Sequence, residues 1–345
     1  MLVVRPAALA DLPQICGLAD QSHVGVTSLP TDTAKLREKI IASMTSLEAD
    51  VVFHGEESYF FVLEDSDTGR LHGCAGIVAS AGFSEPFYSY RNDSFVHASR
   101  EFGIHSKAHV LSLCHDLTGY TLLTSFYIEP GLRNSAVGEG FLRARLMFVA
   151  NHPARFASHV VAELIGHSDE AGEAPFWNAI GRHFFDVSYD EAERLCSLHS
   201  RTFIAELMPS YPVYVSLLPD DAQEVMGAVH PQAALSHDVL LREGFESDRY
   251  IDIFDGGPTL KADLASIQTV AHSHLATVAI SEQPSGTSSY LISNLGLGGF
   301  RAITVQVEWV PDAPIVLSPE AALALAVSEG SSVRVVPLWS TGVQP

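Results

Sequence analysis

Between residues 126 and 150 the chain reads FYIEPGLRNSAVGEGFLRARLMFVA. An apolar run stops at Pro130, a short loop carries Gly138 and Gly140, and residues with helical apolar spacing follow. Such an arrangement suits a phosphate group. Glycines let the backbone approach, and a helix N-terminus offers free N–H groups and the positive end of its dipole. Arg133 ahead of the glycines, with Arg143 and Arg145 behind them, could add charge-assisted bonds to a pyrophosphate. The three-glycine spacing of a dinucleotide site is absent, and so is the Walker A pattern. The loop therefore either holds some other phosphate-bearing ligand or is a plain strand-to-helix turn that binds nothing. VVAEL (160–164) and FIAEL (203–207) each set one glutamate, Glu163 and Glu206, inside what reads as an apolar strand. Burial would raise either carboxyl towards a useful general base, unless it faces solvent or pairs with an arginine. The echo between the two words would also fit tandem half-domains. His105 and His109, four apart with His115-Asp116 near, have no third ligand at a telling spacing, and no metal is expected.

Periodicity and turn chemistry give the elements that must position these groups. Residues 1–5 read as a strand, a helix with Pro13 near its first turn runs to about Gln21, and TAKLREKIIASMTSL forms a second helix. SYFFVLED and LHGCAGIVAS read as strands joined through Asp67-Thr68-Gly69. Residues from about 82 to 116 look irregular, like a loop beside an active site. LLTSFYIEP is a strand, VGEGFLRARLMFVANHP a helix stopped by Pro153, and HVVAELIG a strand. Helices around PFWNAIGRHFF and YDEAERLC, a strand RTFIAELMP, a helix QAALSHDVLLREG and a strand RYIDIFDGG follow. Beyond about Leu260 the chain alternates as strands, with NLGLGGF as a hairpin turn and one short helix at SPEAALALAVSEG. The expected class is α/β (α+β), a mixed sheet flanked by helices with a β-rich C-terminal part. The expected division is 1–205 and 206–345, the second part completing the site.

Composition narrows the partners. A chain of 345 residues has room for two domains, and its net charge of −21 argues against nucleic acid and against an anionic membrane surface. An anionic ligand needs a local basic or backbone-amide site, because the overall field repels it. The N-terminus lacks the apolar region of a signal peptide, and no run of about 18 apolar residues is present. Cys16, Cys74, Cys114 and Cys196 are scattered, which fits reduced thiols and a cytoplasmic location.

The loop resembles that of the acyl-CoA N-acyltransferases, whose pattern is Arg or Gln, two residues, Gly, one residue, then Gly or Ala. Here Ser135 takes the leading position and Arg133 lies two residues upstream. Longer words add to this. GVTSLP, GEESYFFVLEDS, GFSEPFYSYRNDSFVHAS, LSLCHDLTG, VVAE, PFWNAIGRHFF, FIAELMP, VHPQA and YIDIFDGGPTL, in that order, resemble the arginine N-succinyltransferase family, most closely its alpha-subunit branch acting on arginine and ornithine. The resemblance implies succinyl transfer from succinyl-CoA to the α-amino group of L-arginine, and of L-ornithine, with no permanently bound cofactor. It implies that the histidine of the VHP word, His230, handles a proton and that Phe126 contacts succinyl-CoA. Arg133, Gly138 and Gly140 would hold the pyrophosphate, and Glu163 or Glu206 would serve as base. Arg91 is a candidate for the succinyl carboxylate, with Asp252 and Asp255 for the guanidino group. A homo- or hetero-oligomer with a beta subunit is implied. The alternatives are a weakly active structural subunit, or an N-acyltransferase using another acyl-CoA and amine.

Overall fold

Fifteen strands join edge to edge into one sheet in the computed structural model. The structure describes residues 1–22, 26, 28–169, 172–198 and 202–339. The strands are β1 (Leu2–Pro6), β2 (Ser58–Asp65), β3 (Leu71–Val78), β4 (Ser89–Ser99), β5 (Ile104–Cys114), β6 (Thr121–Ile128), β7 (His159–Glu163) and β8 (Val213–Tyr214). β9 (Glu246–Ile251), β10 (Pro258–Asp263), β11 (His274–Ile280), β12 (Ser288–Ser293), β13 (Ala302–Val307), β14 (Ile315–Leu317) and β15 (Ser332–Pro337) complete them. Their order is β14-β11-β15-β12-β13-β1-β2-β3-β6-β7-β10-β9-β4-β5-β8. Neighbours run antiparallel except at β6–β7 and β11–β14. This is the expected mixed sheet with a β-rich C-terminal part, and strands from both sides of residue 205 belong to it.

Strand β2 explains why helices cover both faces at the centre. Phe60 and Val62 point into a core with Ile15, Leu18, Leu36 and Ile40. Those residues come from helices α1 (Leu12–Ala19) and α2 (Thr33–Glu48). Tyr59, Phe61 and Leu63 point the other way, into a core with Leu146, Met147 and Phe148. A strand buried on both faces reads as a continuous apolar run, as YFFVL does.

The second core is built on α4 (Ala136–Asn151), which follows a single turn, α3 (Pro130–Arg133). Ser135 caps α4, its Oγ accepting from the Gly138 N–H at 3.3 Å. Every residue from Gly138 to Val149 is buried, because strands of the sheet, β12 and β13 among them, and the helices Ala234–Arg242 and Gln268–His272 pack around α4.

Three expectations change. Residues 82–116 are not an irregular loop but mainly the β4–β5 hairpin, paired from Ser89↔Cys114 to Ser99↔Ile104. Its outer half leaves Phe95, Val96, Phe102 and Ile104 exposed, so no clean apolar alternation marks it as strand. PFWNAIGRHFF forms two short helices, Pro175–Ala179 and Arg182–Phe185. Residues 202–207 are helical, not a strand: Ile204 and Met208, one helical turn apart, are both buried. The echo between VVAEL and FIAEL is therefore not a structural repeat.

Candidate active site

Strands β6 and β7 pair in parallel only from Thr121↔Val160 to Leu123↔Ala162, and then part. Beyond that point the β6 register against β3 also slips, with Gly76 opposite Thr124 but Cys74 opposite Tyr127. Ser125 sits at the slip with φ of 53°, and Ser28 holds it there. The Ser125 N–H donates to Ser28 Oγ at 2.9 Å, and Ser125 Oγ donates to Ser28 O at 2.8 Å. A bulge of this kind bends the strand and frees backbone groups from the ladder. The parted strands open a cleft of about 670 Å³, lined by Ser125, Phe126, Arg133, Arg145, Glu163, Asp252 and Asp255 among others. That volume is enough for a substrate-sized ligand.

Charged side chains of both signs line the cleft. Arg133 and Arg145 come from the β6–α4 side. Arg133 donates through Nε to Ile128 O at 3.1 Å and lies near the Tyr127 ring. Glu193, Asp252 and Asp255 reach the cleft from the helix Tyr189–Leu198 and from the turn after β9. Asp255 is 4 % exposed. It accepts from the Gly166 N–H at 2.7 Å, the Gly257 N–H at 2.8 Å and the Tyr189 hydroxyl at 3.4 Å. Burial, and then the charge of Asp252, push its carboxyl up to about 7 against the pull of those bonds. Asp252 caps the same turn, accepting from the Phe254 and Asp255 N–H groups.

His230 is held at the edge of this cleft. Its N–H donates to Ile165 O at 3.0 Å, and Ile165, Gln232 and Ala233 line the cleft. The ring Nδ1 accepts from the Gln232 N–H at 3.2 Å, which leaves the neutral ring's proton on Nε2. Glu163 ends β7, opposite Thr259 of β10, and lines the cleft directly.

Phe126, Arg133, Glu163, Asp252 and Asp255 are thus brought together, with His230 beside them. Other candidates lie elsewhere. A Cβ on Gly140 would stand 2.3 Å from Thr304 Oγ1, and one on Gly138 would stand 2.5 Å from Arg133 O. Both glycines therefore serve close packing inside the protein, and neither lines the cleft. Arg143 is committed to Glu139 and Glu243, each at 2.7 Å, and does not line the cleft. Arg91 is bound by Asp93 at 2.8 Å and Asp116 at 2.7 Å and is likewise outside it. Glu206 is exposed on its helix. His105 and His109 lie on a strand rather than a helix. Sequence reasoning missed Glu193, whose signal was a charged residue on the buried side of YDEAERLC.

The sequence profile of the family described as arginine N-succinyltransferase beta subunit matches residues 2–269, and that of its C-terminal domain matches residues 274–337. A Pseudomonas aeruginosa protein named arginine N-succinyltransferase subunit alpha is 60% identical over 336 residues, covering 97% of this chain and 99% of the relative. Arginine N-succinyltransferase of Yersinia pestis is 37% identical over 348 residues, covering 99% of each chain. The solved structure of arginine/ornithine succinyltransferase subunit AI from Pseudomonas aeruginosa superposes with a TM-score of 0.91 at 57% identity, covering 99% of each chain.

Proposed function

The chain belongs to the arginine N-succinyltransferase family, and we propose that it moves the succinyl group of succinyl-CoA onto the α-amino group of L-arginine, and of L-ornithine. The observation that carries this reading is the cleft opened where β6 and β7 part, lined by both arginines and carboxylates. An anionic acyl-CoA and a cationic amino acid need opposite fields within one site. Asp252, Asp255 and Glu193 suit the guanidinium or side-chain ammonium of the acceptor. Arg133 suits the CoA phosphates, with Phe126 and the freed backbone of β6 along the pantetheine.

The α-amino nitrogen, once it has lost its ammonium proton, attacks the thioester carbonyl. The C–N bond forms, the tetrahedral carbon collapses and the C–S bond breaks. Glu163 is positioned to take the proton from nitrogen. The proton removed from nitrogen is handed on to the departing thiolate, with His230 at the cleft edge handling the transfer, so CoA leaves as a thiol and both residues are restored. No permanently bound cofactor enters the reaction. The relative named subunit alpha supports placing this chain in a multi-subunit assembly with a beta subunit. No helix among the described residues is long and apolar enough to cross a membrane, and we assign the reaction to the cytoplasm, where succinyl-CoA is used.

The test is CoA release by the purified chain with succinyl-CoA or acetyl-CoA against arginine, ornithine and lysine. Turnover with succinyl-CoA and arginine is expected, and its absence, with or without a beta subunit, refutes the reading. Light scattering on the same sample gives the assembly state.

A further inference from the structure

Arg145 is a charged residue that lines the cleft from within the core. It is 3 % exposed, yet it forms no ion pair among the described residues. Its Nε donates to Leu142 O at 3.3 Å, and Nη1 donates to Gly76 O at 3.5 Å and to Thr124 O at 3.3 Å. The guanidinium carbon lies 5.1 Å from the centre of the Phe126 ring. Nη2, with two N–H donors, bonds to nothing among the described residues, and the side chain lines the cleft. Burial without a carboxylate pushes the guanidinium down, to about 9. A buried cation left like this costs free energy, which a bound anion would recover. Arg143, two residues earlier, has two carboxylates; Arg91 has two more. Arg145 has none among the described residues, and unlike Arg133 it is buried.

We propose that Arg145 receives the free carboxylate of the succinyl group and so sets the choice of acyl donor. The inference rests on the succinyl-CoA reading above and adds a residue to it. Position favours the donor over the acceptor. Arg145 lies beneath residues 124–126 of β6, the strand along which the thioester is aligned, and takes the Thr124 carbonyl that the bulge released. The guanidinium fork offers Nη2 to a carboxylate arriving past the thioester. The acceptor's cation is left to the carboxylates Asp252, Asp255 and Glu193, which reach the cleft from other segments.

The experiment compares succinyl-CoA with butyryl-CoA, which has the same acyl length and ends in a methyl group, in the wild type, Arg145→Met and Arg145→Lys. Both kcat/KM with L-arginine and the affinity of each donor by calorimetry are measured. Arg145→Met should lower the succinyl-to-butyryl ratio roughly 100-fold, with butyryl-CoA affinity and the KM for L-arginine kept, and Arg145→Lys should recover part of the ratio. Equal losses for both donors mean a purely structural residue and overturn the proposal. A raised KM for L-arginine at an unchanged donor ratio moves Arg145 to the acceptor's carboxylate and also overturns it. A wild type that does not turn over succinyl-CoA refutes the parent reading, and the calorimetric ratio of the donors still decides the role of Arg145.

Discussion

Removing the charge at Arg143 should markedly destabilise the protein, although two residues along the same helix the same change should only alter selectivity. Arg143 is 2 % exposed and lies between Glu139 and Glu243, which are 5 % and 0 % exposed. It also donates to Thr269 Oγ1 at 3.0 Å and Pro337 O at 2.9 Å, and its guanidinium carbon lies 4.1 Å from the centre of the Trp339 ring. Arg143→Met keeps the bulk and leaves two buried carboxylates without a cation. Breaking a buried pair in this way costs about 3–5 kcal/mol. The lower end applies here, because the Trp339 N–H still bonds Glu139, and the Thr269 N–H and hydroxyl still bond Glu243. About 3 kcal/mol is a large share of a total stability of roughly 5–15 kcal/mol. Denaturant melts at pH 8 followed by circular dichroism should show a lowered midpoint. Burial already raises the Glu139 carboxyl, so without Arg143 it takes up a proton more readily, and the deficit should shrink as pH falls towards 5. Adding Glu243→Gln to Arg143→Met should cost less than the sum of the single changes. An unchanged midpoint, or strict additivity, would refute the reasoning.

His230→Ala should lower kcat by roughly 10²–10⁴-fold without changing the melting midpoint, since its ring meets its neighbours at the cleft edge, and kcat kept at the wild-type value would remove its assigned role. Glu163→Gln should also lower kcat, whereas Glu206→Gln, exposed on its helix, should not; equal losses would contradict the placement of the base. Asp255, pushed up to about 7, should ionise as pH rises from 5.5 to 8, so L-arginine should bind more tightly across that range by calorimetry. The sign reverses for folding. A raised carboxyl favours its protonated form in the folded state, so this group's contribution is full below about pH 4 and is lost as pH rises through about 7. Arginine affinity that is flat with pH, or a slope that survives Asp255→Asn, would count against this residue. Gly140→Ala should destabilise by about 1–3 kcal/mol through overpacking against Thr304, and Thr304→Ala should restore most of it; weakened CoA binding at unchanged stability would instead return Gly140 to the cofactor.

Much of this protein was written locally. The continuous apolar words YFFVL and VVA determine strands buried on both faces, and the apolar run after Gly138 determines a helix, because each depends only on neighbouring residues. The ordered words spread over the chain were enough to indicate the family before any geometry was known. The division of labour among the arginines was not legible in this way. Arg143 and Arg145 are two residues apart, hence about 200° apart around α4, so they must face different ways. Which of them meets carboxylates and which meets the cleft depends on the sheet on one side and on residues 243 and 337 on the other. The outer half of the β4–β5 hairpin and the helix at 202–207 were misread because backbone pairing and a distant core, not local pattern, decide them. Likewise Gly138 and Gly140 look like a phosphate loop in sequence, yet a glycine's missing side chain records only that something comes close. Tertiary structure decides what that is: here Thr304 and a carbonyl of the preceding turn. The cleft itself needed the parting of β6 from β7 and the convergence of residues 193, 252 and 255 from separate segments, a matter of long-range packing that no local pattern can encode.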